Sequence, residues 1–149
     1  MYSHILKHFK DLTPYEVYAM LRLRNEVFVV EQNCVFQDAD NKDLFCFHLL
    51  LYDDKELVGY ARLVPAGISY VEVSIGRVVT SRKVRGTGVG KKLMQLAIAH
   101  CEKIFGRVPI RIGAQLYAEK FYSSLGFVAT GLVYYEDGIE HIEMVRGER

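Results

Sequence analysis

The residues SRKVRGTGVGKK, from Ser81 to Lys92, hold three closely spaced glycines, Gly86, Gly88 and Gly90, directly after the basic Arg85. Glycine lets backbone N–H groups approach an anion without a side chain in the way, and the first turn of a helix has unsatisfied donors and a partial positive charge. A helix starting within this segment would therefore make a cradle for a pyrophosphate. Two common phosphate loops do not fit. A Walker A loop needs glycine at 85 and Ser or Thr at 92, where the chain has Arg85 and Lys92. A GxGxxG fingerprint starting at Gly86 needs glycine at 91, which is Lys91. Neither an NTPase nor a dinucleotide-dependent dehydrogenase is indicated.

The elements around the loop follow from hydrophobic period and turn residues. The chain opens on a short apolar-alternating stretch near Ile5 to Phe9. Thr13, Pro14 and Glu16 form a capping box with proline at the first helical position, so a helix is expected from there to near Glu31. Strands are expected over Phe45 to Tyr52 and Leu57 to Val64, joined at Asp53 and Asp54, and over Tyr70 to Thr80 after a turn at Pro65, Ala66 and Gly67. Val89, Leu93, Leu96, Ala97 and Ile104 then take up helical spacing to about Gly106. A short strand from Ile110 to Ala114 and a helix from Leu116 to Leu125, stopped by Gly126, come next. The chain closes on strands over Phe127 to Tyr135 and Ile139 to Val145, flanking the turn Glu136, Asp137, Gly138. The predicted fold class is α/β: a mixed, mostly antiparallel central sheet flanked by helices, with residues 1–149 forming a single domain.

Composition narrows the function classes. With 149 residues, 50% hydrophobic and 25% charged, the chain suits one core-forming domain. Nineteen Lys and Arg against eighteen Asp and Glu leave a formal charge of +1, which argues against a nucleic-acid or membrane partner. The apolar runs fall far short of the ~20 residues that span a bilayer, and MYSHILKHFKD lacks a leader's apolar core. A soluble, cytoplasmic protein is expected. Cys34, Cys46 and Cys101 form no CxxC pair, so reduced thiols are expected; with His48 they lack the spacing of a zinc site, and no metal is expected.

The pattern RxxGxG, met by Arg85, Gly88 and Gly90 between the strand VSIGRVVT and an amphipathic helix, resembles the GNAT family of acyl-CoA-dependent N-acetyltransferases. QLYAEKFYSSLGF, with Ala118, Phe121, Tyr122, Gly126 and Phe127, is similar to that family's second motif. LRNEVFVVEQNCVFQDAD and EDGIEHIEM further resemble the ElaA-type subgroup, so the likeness covers nearly the whole chain. It implies a GNAT-like fold and an acetyl-CoA-dependent N-acetyltransferase in which a primary amine attacks directly in a ternary complex. The alternative is a CoA-binding regulatory module without turnover. The acceptor implied is an amine on a small molecule or peptide, with a homodimer as a permitted assembly.

Residue by residue, the resemblance implies that Val78, Val79 and Thr80 pair with the pantetheine arm. Arg85, Gly86, Thr87, Gly88, Val89, Gly90 and Lys91 would hold the pyrophosphate, with Gln115, Phe121 and Tyr122 also at the cofactor. Gln115 stands where the family often has Asn. Tyr122 matches the family's general acid toward the CoA sulfur; a tyrosine, with an ordinary pKa of ~10, keeps its proton at neutral pH. The backbone N–H of Val79 or its neighbour would polarise the thioester carbonyl. A base must deprotonate the amine: Glu72 occupies the position of the base in histone-type members, and His141, Glu143 and His48 are rivals. Glu31, Asp38, Asp40 and Asp43 are expected to give an acidic rim for a cationic amine, or else to cap and solvate a loop.

Overall fold

The computed structural model describes residues 1–147. The capping box forms: the Glu16 N–H donates to Thr13 Oγ1 at 3.1 Å, and the Thr13 N–H donates to Glu16 Oε1 at 2.8 Å. It starts helix α1 (Pro14–Arg24), which continues with π-helical spacing over Asn25–Glu31. There Gln32 N–H donates to Val27 O and Cys34 N–H to Val29 O, both at 3.0 Å and both five residues back. The helix thus ends where expected, but its β-branched last part widens rather than staying α-helical.

The sheet contains β1 (Tyr2–His8), β2 (Phe47–Asp53), β3 (Glu56–Val64), β4 (Val73–Thr80), β5 (Ile110–Gln115), β6 (Phe127–Ala129), β7 (Tyr134–Glu136) and β8 (Ile139–Arg146). Among the described residues its order is β1-β2-β3-β4-β5-β8-β6, with β7 also on β8. All pairings are antiparallel except β4 with β5. The expected strand at Tyr70 begins only at Val73, because a turn closed by Gly67 N–H to Tyr70 O at 2.7 Å takes up the preceding residues. The expected strand Phe127 to Tyr135 divides into β6 and β7, and the helix after β5 is a 3-10 turn, Leu116–Ala118, leading into the short α3 (Glu119–Ser123).

Helix α2 (Val89–Phe105) covers one face of the sheet and α1 the other. Leu93, Met94 and Ala97 pack with Leu49, Leu51, Ile112 and Met144; Met20, Leu23 and Val27 pack with Leu50, Tyr60 and Val79. Successive β2 leucines thus face opposite layers, which explains why FCFHLLLY is apolar without alternation. Each such side chain contributes about 1.5–3 kcal/mol by burial. The two layers hold β4 in the middle of the sheet, where its far edge becomes important.

Candidate active site

Strands β4 and β5 pair only at Val73 with Ile110 and Ser74 with Arg111, and then diverge. Beyond Ser74 the β5-facing edge of β4 has no ladder partner among the described residues. A β-bulge in β4 opposite β3, with Arg77 at a φ of 50°, kinks the strand at this point. The gap opens into a cleft of about 400 Å³ lined by Val78, Val79 and Thr80 on one side and Gly113, Ala114 and Gln115 on the other. Backbone polar groups without partners favour an extended ligand that can pair with them.

Past Thr80 the chain makes a 3-10 turn, Arg82–Val84, and reaches the glycine loop. Thr87 Oγ1 donates to Val84 O, tying the loop back on itself. Gly88 caps α2 at a φ of 85°, and Gly86 has a φ of 78°. A Cβ at either position would meet nothing within 4 Å, so the space above the loop is open. The N–H groups of Val89, Gly90 and Lys91 lie in the first turn of α2, where an α-helix offers them no acceptor. Open space, donors and helix polarity therefore fit a pyrophosphate, and the strand gap beyond fits an acyl-bearing arm. The Arg85 guanidinium is already engaged: it pairs with Glu31 and donates from Nη2 to Thr80 O at 3.1 Å.

Tyr122 on α3 lines the same cleft, with its ring edge-on to Phe121 at 5.1 Å and Phe127 at 5.9 Å. Burial, with Tyr117 nearby, pushes its phenol up to about 12, so the hydroxyl keeps its proton throughout the neutral range. On β8, His141 lies opposite Gln115 and is 7% exposed. Its Nδ1 lies 2.8 Å from Ile139 O. A carbonyl can only accept, so Nδ1 carries the proton of the neutral ring and Nε2 keeps its lone pair. Tyr134 holds the ring from one side, with centroids 5.7 Å apart. Tyr134 in turn needs Gly113, where a Cβ would lie 2.6 Å from the Tyr134 hydroxyl and 3.0 Å from that of Tyr70. Gln115 Nε2 reaches Gln32 Oε1 at 3.4 Å, bridging from β5 to the π-helical end of the α1 segment.

The expected acidic rim and all the candidate bases except His141 are corrected. Glu72 does not reach this cleft: it precedes β4, at the opposite end of the strand from Thr80, and both its oxygens lie 3.0 Å from Arg111 nitrogens. Counting back from Arg85 assumes an equal intervening loop length, and with a bulge in the strand it cannot show which way the side chain faces. Nor do Asp38, Asp40 and Asp43 form an acidic rim. Arg24 Nε donates to Asp38 at 2.7 Å and its Nη1 to Asp43 at 2.9 Å, while Arg62 binds Asp43 and Asp40 and Arg77 pairs with Asp38 at 2.8 Å. Their charge is neutralised within the fold, and Glu31, nearer the surface, pairs with Arg85 and Arg82. His48 is also structural: its Nε2–H donates to Asp43 O at 2.9 Å, and its Nδ1 accepts from the Tyr60 hydroxyl at 2.5 Å. Glu143 accepts from Arg111 at 3.0 Å.

Among the cleft residues that the sequence did not single out are the polar Gln32, Arg77 and Glu136. Glu136 carried a readable signal, since it sits beside an Asp137-Gly138 turn that sets a hairpin register against His141. Among the described residues no group of three or more His, Cys, Asp or Glu could hold a metal, and no helix is long and apolar enough to cross a membrane.

A family model described as an acetyltransferase (GNAT) domain matches residues 17–147. The protein ElaA of Escherichia coli is 43% identical over 141 residues, which are 93% of this chain and 92% of ElaA. The crystal structure of Escherichia coli ElaA matches with a TM-score of 0.92 over 98% of this chain and 99% of that one. The crystal structure of an acyl-CoA N-acyltransferase from Pseudomonas aeruginosa is 42% identical and matches with a TM-score of 0.94, covering 99% of this chain and all of that one.

Proposed function

Because this chain belongs to the GNAT acetyltransferase family, we propose that it is an acetyl-CoA-dependent N-acetyltransferase acting on a primary amine by direct attack in a ternary complex. The carrying observation is that one cleft joins the unpaired β4 edge, Tyr122 and His141, whose Nε2 keeps its lone pair, and that Thr80 and Arg85 on its wall lead along the chain into the glycine loop and the donors of the α2 N-terminus. Residues 1–149 act as one catalytic domain in this reading, working in the cytoplasm.

The loop from Arg85 to Lys91 binds the pyrophosphate through its backbone, and Val78, Val79 and Thr80 align the pantetheine arm. Ser81 N–H donates to Val58 O at 2.8 Å, so ladder alternation turns the Val79 N–H toward β3. The neighbouring Val78 N–H is then the donor for charge developing on the thioester carbonyl oxygen. Gln115 and Phe121 wall the arm.

His141 Nε2 accepts one proton from the acceptor ammonium, freeing the nitrogen lone pair to form the C–N bond as the C–S bond breaks. Tyr122 gives its phenolic proton to the leaving sulfur. The extra proton on the new amide nitrogen returns to the phenolate through solvent, and His141 discharges its own to solvent, so each turnover releases one proton. General acid and base groups of this kind contribute roughly 10² to 10⁴ in rate. Tyr122→Phe and His141→Gln are each expected to lower kcat on this scale while leaving acetyl-CoA affinity, measured by calorimetry, unchanged. Near-normal kcat in either folded variant, where chemistry limits the rate, removes that residue from the mechanism.

A further inference from the structure

The β7–β8 hairpin turns through Asp137 and Gly138, both at positive φ (52° and 77°). That two-residue turn fixes the register: Tyr134 faces His141, and Glu136 faces Ile139. Side chains alternate along each strand, so Tyr134, Glu136, Ile139 and His141 share one face, with Glu136 diagonal to His141. Glu136 Oε2 lies 3.7 Å from His141 Nε2, beyond hydrogen-bond distance. The imidazole is more than nine-tenths buried, and Nε2, its lone-pair nitrogen, is the one next to this carboxylate.

Of the other charged residues that line the cleft, Asp137 lies in the hairpin turn itself, and Glu31, Arg77 and Arg85 are already matched. Glu31 is bound by Arg85, and Arg77 by Asp38. Glu136 has no arginine or lysine ion-pair partner among the described residues, and its side chain keeps 56% of its surface exposed at the cleft margin. We propose that Glu136 is the anchor for the acceptor amine, which binds as an ammonium ion between this carboxylate and His141 Nε2. Glu136 thereby selects primary amines that arrive protonated, and it holds the N–H bond against the base. This rests on the acetyl-transfer reading, and it moves cation recognition from the loop carboxylates to the hairpin.

The test uses the full chain loaded with CoA, which carries no acetyl group to transfer, and titrates it with 1-aminopentane and 1,5-diaminopentane by calorimetry. Glu136→Gln is expected to weaken binding of either amine roughly tenfold to a hundredfold, the scale of a charge-assisted hydrogen bond. Glu136→Asp should restore part of the loss, and Glu140→Gln, on the exposed part of β8, should change nothing. CoA affinity should be the same in all variants. Equal amine binding by the wild type and Glu136→Gln overturns the assignment, as does failure of the wild type to bind either amine. Turnover of acetyl-CoA with the same amines is read separately. Binding that depends on Glu136 without acetyl transfer would keep the anchor and reject the enzymatic reading, whereas transfer indifferent to Glu136 would do the reverse.

Discussion

Single positions decide whether the cleft can do chemistry. Gly88 is the sharpest case, because its φ of 85° suits a residue without a Cβ while the space beside it is empty. Gly88→Val should therefore fold, since nothing is displaced, but its side chain would stand over the α2 donors and strain the cap. A loss of acetyl-CoA affinity of at least about tenfold is expected by calorimetry, with an unchanged circular dichroism spectrum. Unchanged affinity in the folded variant would contradict the cradle. The left-handed turn at Gly88 was legible from the sequence because a glycine just before a helix is a local signal, and the place of Tyr122 on the cleft wall agrees with what the family resemblance implied. The aspartates were not legible. Asp38, Asp40 and Asp43 read as an exposed acidic loop, and only the fold brings Arg24, Arg62 and Arg77 from three separate elements onto them.

At the scale of elements, most of the architecture could be read ahead. The capping box, the β2–β3 hairpin and the strand-loop-helix junction all rest on local signals. What sequence period could not show is where pairing stops: the divergence of β4 from β5 after Ser74 depends on the bulge at Arg77 and on both helical layers. The π-helical segment was equally hidden, since a β-branched run reads as a weak helix whatever its hydrogen-bond spacing. The buried ionic cluster holds that segment and the following loop to β3 and β4, so its loss should be costly. Arg24 is fully buried and serves two carboxylates at once. Arg24→Ala is expected to reduce stability by about 3–5 kcal/mol in urea unfolding, and Arg24→Lys should recover only part, because lysine lacks the planar fork. A loss below about 1 kcal/mol, the scale of an exposed pair, would mean that the cluster does not hold the loop.

For the whole molecule, pH should act on stability in two steps. Burial holds His48 below its ordinary value of 6.5, despite the bond to Asp43 O, and burial followed by the charge of His4 does the same to His100. The unfolded chain then binds more protons than the folded one below 6.5, so stability present above that pH should fall as pH drops through the folded values. Burial opposes the charged form of Asp40 too, but Arg62 outweighs it and holds the carboxyl at about 2, against an ordinary 3.8. A second loss is therefore expected as pH falls from 3.8 toward 2, and a thermal midpoint flat from pH 7 to pH 3 would contradict this. The proposed function rests at the same scale on the cleft between β4 and β5, where in that reading donor and acceptor meet without passing the acetyl group through an enzyme sulfur. Burial pushes the Cys46 thiol up to about 11 and that of Cys101 to about 12, which leaves Cys34, in the cleft, as the thiol to follow. The most direct test mixes the enzyme with acetyl-CoA and a primary amine in a single turnover, following free CoA thiol and N-acetylated product together. Direct transfer requires the two to appear at the same rate and in equal amounts, only when amine is present, and equally with Cys34→Ala. Acetyl-CoA that binds but releases no thiol with any amine, or an acetylated Cys34 formed before product and competent to yield it, would contradict the account.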